Sequence, residues 1–143
     1  MDTASCDVNK AEAPRLLLVD DDASVRKIFE QFLALTVPEV DITCVTNGRE
    51  AVAAVAARDY AVCVLDLHMP EMDGLSAFQA MRDRCCTEGR DLPAILFCSG
   101  YTPTPTLEQI VRESPNCKIL CKPVRMPEIS AFVKANLPSN GSR

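Results

Sequence analysis

The sequence predicts an α/β fold: one five-stranded parallel sheet with helices packed on both of its faces. Three observations carry the prediction. Five short apolar runs recur along the 143 residues, at Arg15–Val19, Val40–Val45, Ala61–Leu65, Ala94–Cys98 and Cys117–Cys121, each followed by a segment with helical spacing. The first run after Arg15, the third and the fourth are continuously apolar rather than alternating, which marks strands buried on both faces, as parallel strands are. Four of the five runs end on polar side chains, at Asp20, Asp66, Ser99 and Lys122. Strand carboxyl ends are where ligands bind in open sheets of this kind.

In chain order, residues 1–14 are polar and acidic and are expected to form a tail, ahead of a single domain at 15–137 and a polar end at 138–143. After Arg15–Val19, a helix is expected with Val25, Ile28, Phe29, Phe32 and Leu33 on its buried face, capped by Asp22 or Ser24. Pro38 closes the connection to the second strand. Asn47-Gly-Arg-Glu50 resembles a capping box and opens an Ala-rich helix with Val52 and Val55 inward. The third strand leads into a loop holding Pro70 and Gly74, and Leu75, Phe78 and Met81 mark the next helix. The fourth strand leads through Ser99-Gly100 and a Pro-rich loop to a short helix with Leu107, Ile110 and Val111 inward. The fifth ends at Lys122-Pro123, before a helix carrying Ile129, Phe132, Val133 and Leu137, with Pro127 in its first turn. Right-handed crossovers leave few topologies for five such units. The simplest is the doubly wound, flavodoxin-like (βα)5 order 2-1-3-4-5.

Composition excludes several function classes. Hydrophobic residues make up 48% and charged residues 24% of the chain, an ordinary globular balance. No apolar run approaches a membrane span, and residues 1–14 hold no apolar signal segment, so a cytoplasmic protein with no membrane partner is expected. The formal net charge of -5 argues against nucleic acid as the partner. Of the eight cysteines, Cys44, Cys63, Cys98, Cys117 and Cys121 fall in or beside strand-like runs, where a thiol behaves as a small hydrophobe. There is no Cys-x-x-Cys, and His68 is the only histidine, so zinc spacing is absent. The adjacent Cys85 and Cys86 are the thiols expected to be accessible.

The predicted order makes strands one, three, four and five neighbours, so Asp20, Asp21, Asp22, Asp66, Ser99 and Lys122 converge on one edge. Clustered carboxylates repel one another, and a hard cation with oxygen ligands, Mg2+ above all, keeps them ionised together. Such a cation and Lys122 would offset the charge of an incoming phosphoryl group, and Ser99 could donate to its oxygens. The chemistry suggested is phosphoryl transfer to a carboxylate.

Val19-Asp-Asp21, Asp66-Leu-His-Met-Pro-Glu-Met-Asp-Gly74, Ser99-Gly100 and Lys122-Pro123, in this order, resemble the receiver domain of two-component response regulators, from about Arg15 to Leu137. The resemblance implies that Asp66 is the phosphoacceptor, served by a sensor histidine kinase or a phosphotransfer protein. It implies Mg2+, with Mn2+ as a substitute, on Asp20, Asp21, Asp66 and the backbone carbonyl of His68. Ser99 matches the switch hydroxyl and Lys122 the phosphate-binding lysine, and the resemblance suggests a cis Lys122–Pro123 bond. The only catalysis implied is of the chain's own phosphorylation and dephosphorylation. A downstream protein is expected to bind the face of the fourth helix, fifth strand and fifth helix. The family often has an aromatic residue, three positions before the lysine, that swings inward on activation; that position here is Ile119, which puts an aromatic switch in question and leaves signalling through Ser99 and its loop open. The side chains of His68 and Tyr101, each two residues past a matched position, are candidates for tuning phosphate lifetime.

Other readings are weighed beside this one. The chain could be the receiver of a hybrid histidine kinase, or a phosphorelay intermediate. It could be a receiver-like scaffold that is never phosphorylated, although the intact set of acids, hydroxyl and lysine argues against that. Leu17-Leu-Val-Asp20-x-Asp22-x-Ser24 also resembles the first motif of haloacid-dehalogenase-type phosphatases, with Asp20 as nucleophile and Asp22 as acid–base. That scheme needs an acidic pair after Lys122, where only Glu128 follows, and it leaves Asp66 idle.

Overall fold

The computed structural model describes residues 13–138, so the expected tails lie almost wholly outside the described residues. Five strands and five helices alternate: β1 (Arg15–Val19), α1 (Ala23–Thr36), β2 (Asp41–Val45), α2 (Gly48–Ala57), β3 (Val62–Asp66), α3 (Gly74–Glu88), β4 (Ala94–Ser99), α4 (Pro105–Glu113), β5 (Cys117–Cys121) and α5 (Met126–Ala135). All neighbouring strands are parallel, in the order β2-β1-β3-β4-β5, as the sequence predicts.

Side chains alternate between the faces of each strand, and both faces are covered. Leu17, Val19, Cys63, Leu65, Ile95 and Phe97 pack under α2, α3 and α4 through Ala51, Val55, Phe78, Met81 and Leu107. Leu16, Leu18, Val62, Val64, Leu96 and Cys98 pack under α1 and α5 through Phe29, Leu33, Ile129 and Val133. Each such aliphatic or aromatic side chain contributes about 1.5–3 kcal/mol when fully buried. The registers Val19↔Leu65, Asp66↔Cys98 and Ser99↔Cys121 align the strand ends, so Asp20, Asp66, Ser99 and Lys122 meet at one edge.

The caps explain where the helices begin. Asp22 accepts from the N–H groups of Ser24 (2.8 Å) and Val25 (3.3 Å), which makes it, and not Ser24, the cap of α1. Asn47 accepts from Glu50 N–H at 2.8 Å, but the Glu50 carboxylate returns to Thr46 rather than to the cap residue. Asp73 caps α3 through Ser76 N–H at 2.8 Å.

Two expectations fail on helix faces. Ile28 is 55% exposed, because the inward face of α1 runs through Phe29 and Leu33, with Val25 packed beside them, while Phe32 is half-buried. Cys85 is buried against the core under α3, while Cys86, one residue further round the helix, is exposed. Arg90 has a structural role that no motif announces. Its guanidinium donates to the carbonyls of Val55 (2.6 Å), Ala56 (3.2 Å) and Arg58 (3.0 Å), and pairs with Asp59 and Glu88 at 2.9 Å each. It thus closes the free carbonyls at the end of α2.

The β3–α3 loop folds tightly over the end of β3. Met72 N–H donates to the Pro70 carbonyl at 2.8 Å across Glu71, whose φ of 69° is in the left-handed region. This is the strained form of the three-residue turn. A Cβ on Gly74 would lie 2.5 Å from the Asp66 carbonyl oxygen and 2.8 Å from Leu67 Cα. The start of α3 therefore rests directly on the backbone that carries Asp66. Gly74→Ala is expected to lower stability by about 1–3 kcal/mol through overpacking, seen as a lower urea midpoint with an unchanged m-value.

Candidate functional site

The site is built from loops that leave the carboxyl ends of four adjacent strands. Asp66, the last residue of β3, is 3% exposed, and Asp20, the first residue past β1, is 4% exposed. Asp21 beside it is exposed. One carboxylate oxygen from each of Asp20, Asp21 and Asp66 lies within 4.8 Å of the others. Asp66 Oδ1 accepts from His68 N–H at 3.1 Å and from Lys122 Nζ at 3.3 Å. Asp20 Oδ1 accepts from Asp22 N–H at 2.9 Å, and the Asp20 carbonyl accepts from Arg26 at 2.7 Å. The Lys122–Pro123 bond is cis.

The electrostatics show how the acids share the edge. Burial pushes the Asp20 carboxyl above its ordinary range, the Asp22 N–H partly offsets this, and the Asp66 charge pushes it further up. Burial alone would pull Lys122 down, but the charge and hydrogen bond of Asp66, with Asp20 behind, leave its ammonium held above the usual range. The Cys98 thiol next to them is pushed up to about 12, chiefly by burial, so it is no nucleophile at neutral pH. Lys122 is 38% exposed at its side chain whereas Asp66 is 3% exposed. Lys122→Ala is therefore expected to cost about 1 kcal/mol in a denaturant titration, less than the loss of a fully buried partner, because solvent screens the lysine end.

A second cluster adjoins the acids. Ser99 is buried at the end of β4, its Oγ donating to the Tyr101 carbonyl (2.8 Å) and accepting from Tyr101 N–H (3.1 Å). The same oxygen stands 3.5 Å from His68 Nε2. The His68 and Tyr101 rings meet edge to face, with centroids 4.4 Å apart and planes at 78°. The sequence offers these two residues as separate candidates, and the structure brings them into contact. They border a cleft of about 420 Å3 between the β3–α3 and β4–α4 loops, floored by Leu67, Met69, Leu75 and Leu107. Ile119 is half-buried and packs into the core under α4 as an aliphatic side chain.

The acid cluster offers only carboxylate oxygens, with no imidazole or thiolate donor in it among the described residues. That donor set fits a hard divalent cation and not zinc or copper. Glu128, the acid the phosphatase scheme would need, is exposed on α5 and stands outside the cluster.

Residues 16–134 match the model of the response regulator receiver domain. The chain belongs to this family. Among curated relatives, the receiver is 29% identical over 123 residues to the transcriptional regulatory protein QseB of Haemophilus influenzae, covering 85% of this chain and 51% of that protein. It is 44% identical over 66 residues to a protein-glutamate methylesterase/protein-glutamine glutaminase of Carboxydothermus hydrogenoformans, covering 46% of this chain and 18% of that one. The receiver thus spans about half, or far less, of the length of these relatives. Its fold matches that of the Vibrio cholerae chemotaxis protein CheY4 with a TM-score of 0.70 at 22% identity, covering 87% of this chain and 98% of that one. Receivers work in two-component signalling and generally partner with histidine kinases. No helix among the described residues is long and apolar enough to cross a membrane.

Proposed function

We propose that this receiver is a phosphorylation-controlled switch in which Asp66 accepts a phosphoryl group from the phosphohistidine of a sensor histidine kinase or of a phosphotransfer protein. One observation carries the reading: a buried carboxylate at a strand end is paired to Lys122 at 3.3 Å and belongs to an acid cluster within 4.8 Å. An Asp66 oxygen attacks phosphorus, the P–N bond to the donor imidazole breaks, and the ring nitrogen keeps the electron pair. Both protein donors to Asp66 fall on Oδ1, so the other oxygen is the one open to the incoming group. Lys122 orients the carboxylate and offsets the growing negative charge. The Ser99 hydroxyl donates to a phosphoryl oxygen. Asp20, Asp21, Asp66 and the His68 carbonyl would hold Mg2+, or Mn2+ in its place, which when bound screens the carboxylates and the phosphoryl oxygens from one another.

The chain's own chemistry is its phosphorylation and the hydrolysis of the product. His68 and Tyr101, at the border of the site, set the lifetime of that product. The signal leaves through the face of α4, β5 and α5, which follows directly from Ser99 and Lys122 in the chain, to a downstream protein. The net charge of -5 fits a cytoplasmic protein partner and not nucleic acid or a membrane surface. Placed within a hybrid kinase or a phosphorelay, the same residues would do the same chemistry. Acetyl phosphate with Mg2+ tests the reading: a hydroxylamine-labile phosphoryl group is expected, absent when EDTA replaces the metal. Failure to take up phosphate from this donor and from a panel of phosphorylated histidine kinases would instead support a scaffold.

A further inference from the structure

We propose that Arg26 is a positioning residue for the divalent cation: its guanidinium holds the peptide that joins Asp20 to Asp21 and so sets the spacing of those two carboxylates. The inference rests on the reading of the acid cluster as the Mg2+ site. Arg26 is half-buried in the first turns of α1, and its own N–H makes the ordinary helical bond to the Asp22 carbonyl at 3.0 Å. Its side chain doubles back, and Nη1 donates to the Asp20 carbonyl at 2.7 Å. No other group among the described residues donates to that carbonyl. The usual use of an arginine here would be an ion pair with Glu30, four residues on along the helix. Arg26 forms no ion pair among the described residues and spends its donor on the backbone of the site instead.

A peptide unit is planar, so the Asp20 carbonyl shares its plane with the nitrogen and Cα of Asp21. Holding that oxygen holds the link between two members of the cluster. Two other bonds hold the turn. Asp20 N–H donates to the Val45 carbonyl at 3.3 Å, and Asp22 N–H donates to the Asp20 carboxylate at 2.9 Å. The first fixes the peptide before Asp20 and the second the peptide after Asp21, so the one between them depends on Arg26. Repulsion among three carboxylates within 4.8 Å works against their spacing until a cation offsets it. A bond from a guanidinium, roughly twice as strong as one between neutral groups, resists that repulsion. Charge alone would have the opposite effect. The guanidinium stays protonated, and a fixed positive charge beside a cation site opposes the cation. Removing it therefore tightens binding if only charge matters and weakens binding if position does.

Mn2+ is the probe, with the free ion counted by electron paramagnetic resonance in the unphosphorylated chain. Arg26→Met, neutral and without a donor, is expected to bind Mn2+ about tenfold more weakly than the wild type, as when a group that orients a metal ligand is lost. Arg26→Lys keeps the charge and one donor, which is all a single carbonyl needs, and is expected to fall between the two. Circular dichroism checks that each variant is folded, and Arg26→Gln replaces Arg26→Met if that variant is not. Equal or tighter Mn2+ binding by the neutral variant overturns the role of Arg26 and leaves the phosphoacceptor reading intact. Arg26→Lys weakened as far as the neutral variant overturns it too. No saturable Mn2+ binding by the wild type overturns both the role and the Mg2+ reading of the cluster.

Discussion

Asp66→Asn is expected to abolish phosphoryl uptake. The amide keeps the size of the side chain and its place at the end of β3, but it carries no charge and has no oxygen able to form an acyl phosphate. With acetyl phosphate and Mg2+, the wild-type chain is expected to gain the mass of one phosphoryl group, and the variant to stay at background. The variant is not expected to unfold. Its amide oxygen would still accept from His68 N–H, and Lys122, partly solvated, loses a partner at modest cost. A circular-dichroism spectrum like the wild type's, together with loss of uptake, separates chemistry from folding.

The second large effect concerns the metal and Asp20. Burial and the Asp66 charge hold the Asp20 carboxyl above its ordinary range, so without metal its ionised form weighs against the folded state. The sign follows: a carboxyl raised in the folded state costs nothing below the pKa of the unfolded chain and costs most above the folded pKa. In EDTA at neutral pH, Asp20→Asn is expected to raise the melting temperature, and the gain is expected to vanish as pH falls below the ordinary carboxylate range. Addition of Mg2+ reverses the order. At a hundred times its dissociation constant a bound ion stabilises the wild type by about 2.7 kcal/mol, and the variant, missing one ligand of the cluster, gains much less. Thermal melts with and without Mg2+ at two pH values give all four quantities. Equal metal responses in both proteins would remove Asp20 from the site.

Much of this was legible in the sequence because it depends on period and order. Continuous apolar runs such as Val62–Leu65 are buried on both faces wherever they occur, and strand order then follows from short right-handed crossovers. The convergence of Asp20, Asp66, Ser99 and Lys122 needed only that order. What escaped depends on a few tens of degrees or on a side chain's choice of partner. Ile28 and Phe29 are adjacent in sequence, and helical spacing alone does not say which of them faces the sheet. Cys85 and Cys86 pose the same problem, read the wrong way for the first of them. The close approach of Gly74 to the Asp66 carbonyl and the left-handed Glu71 belong to a loop whose path is set by packing. The contact between His68 and Tyr101 had one available signal. Each lies two residues beyond a strand end, Asp66 or Ser99, and the register Asp66↔Cys98 makes those ends near neighbours, so the two side chains come within reach once β3 and β4 pair. No sequence signal shows that Ser99 spends its proton on Tyr101, because a hydroxyl's partner is settled only in three dimensions.

In the proposed switch one particular carboxylate, that of Asp66, becomes an acyl phosphate. Borohydride reduction of the phosphorylated chain converts an aspartyl phosphate to homoserine, and peptide mass spectrometry then locates it. Homoserine is expected at position 66 alone, in a Mg2+-dependent yield. Homoserine at position 20, with Asp66→Asn still labelled, would contradict it and make Asp20 the nucleophile.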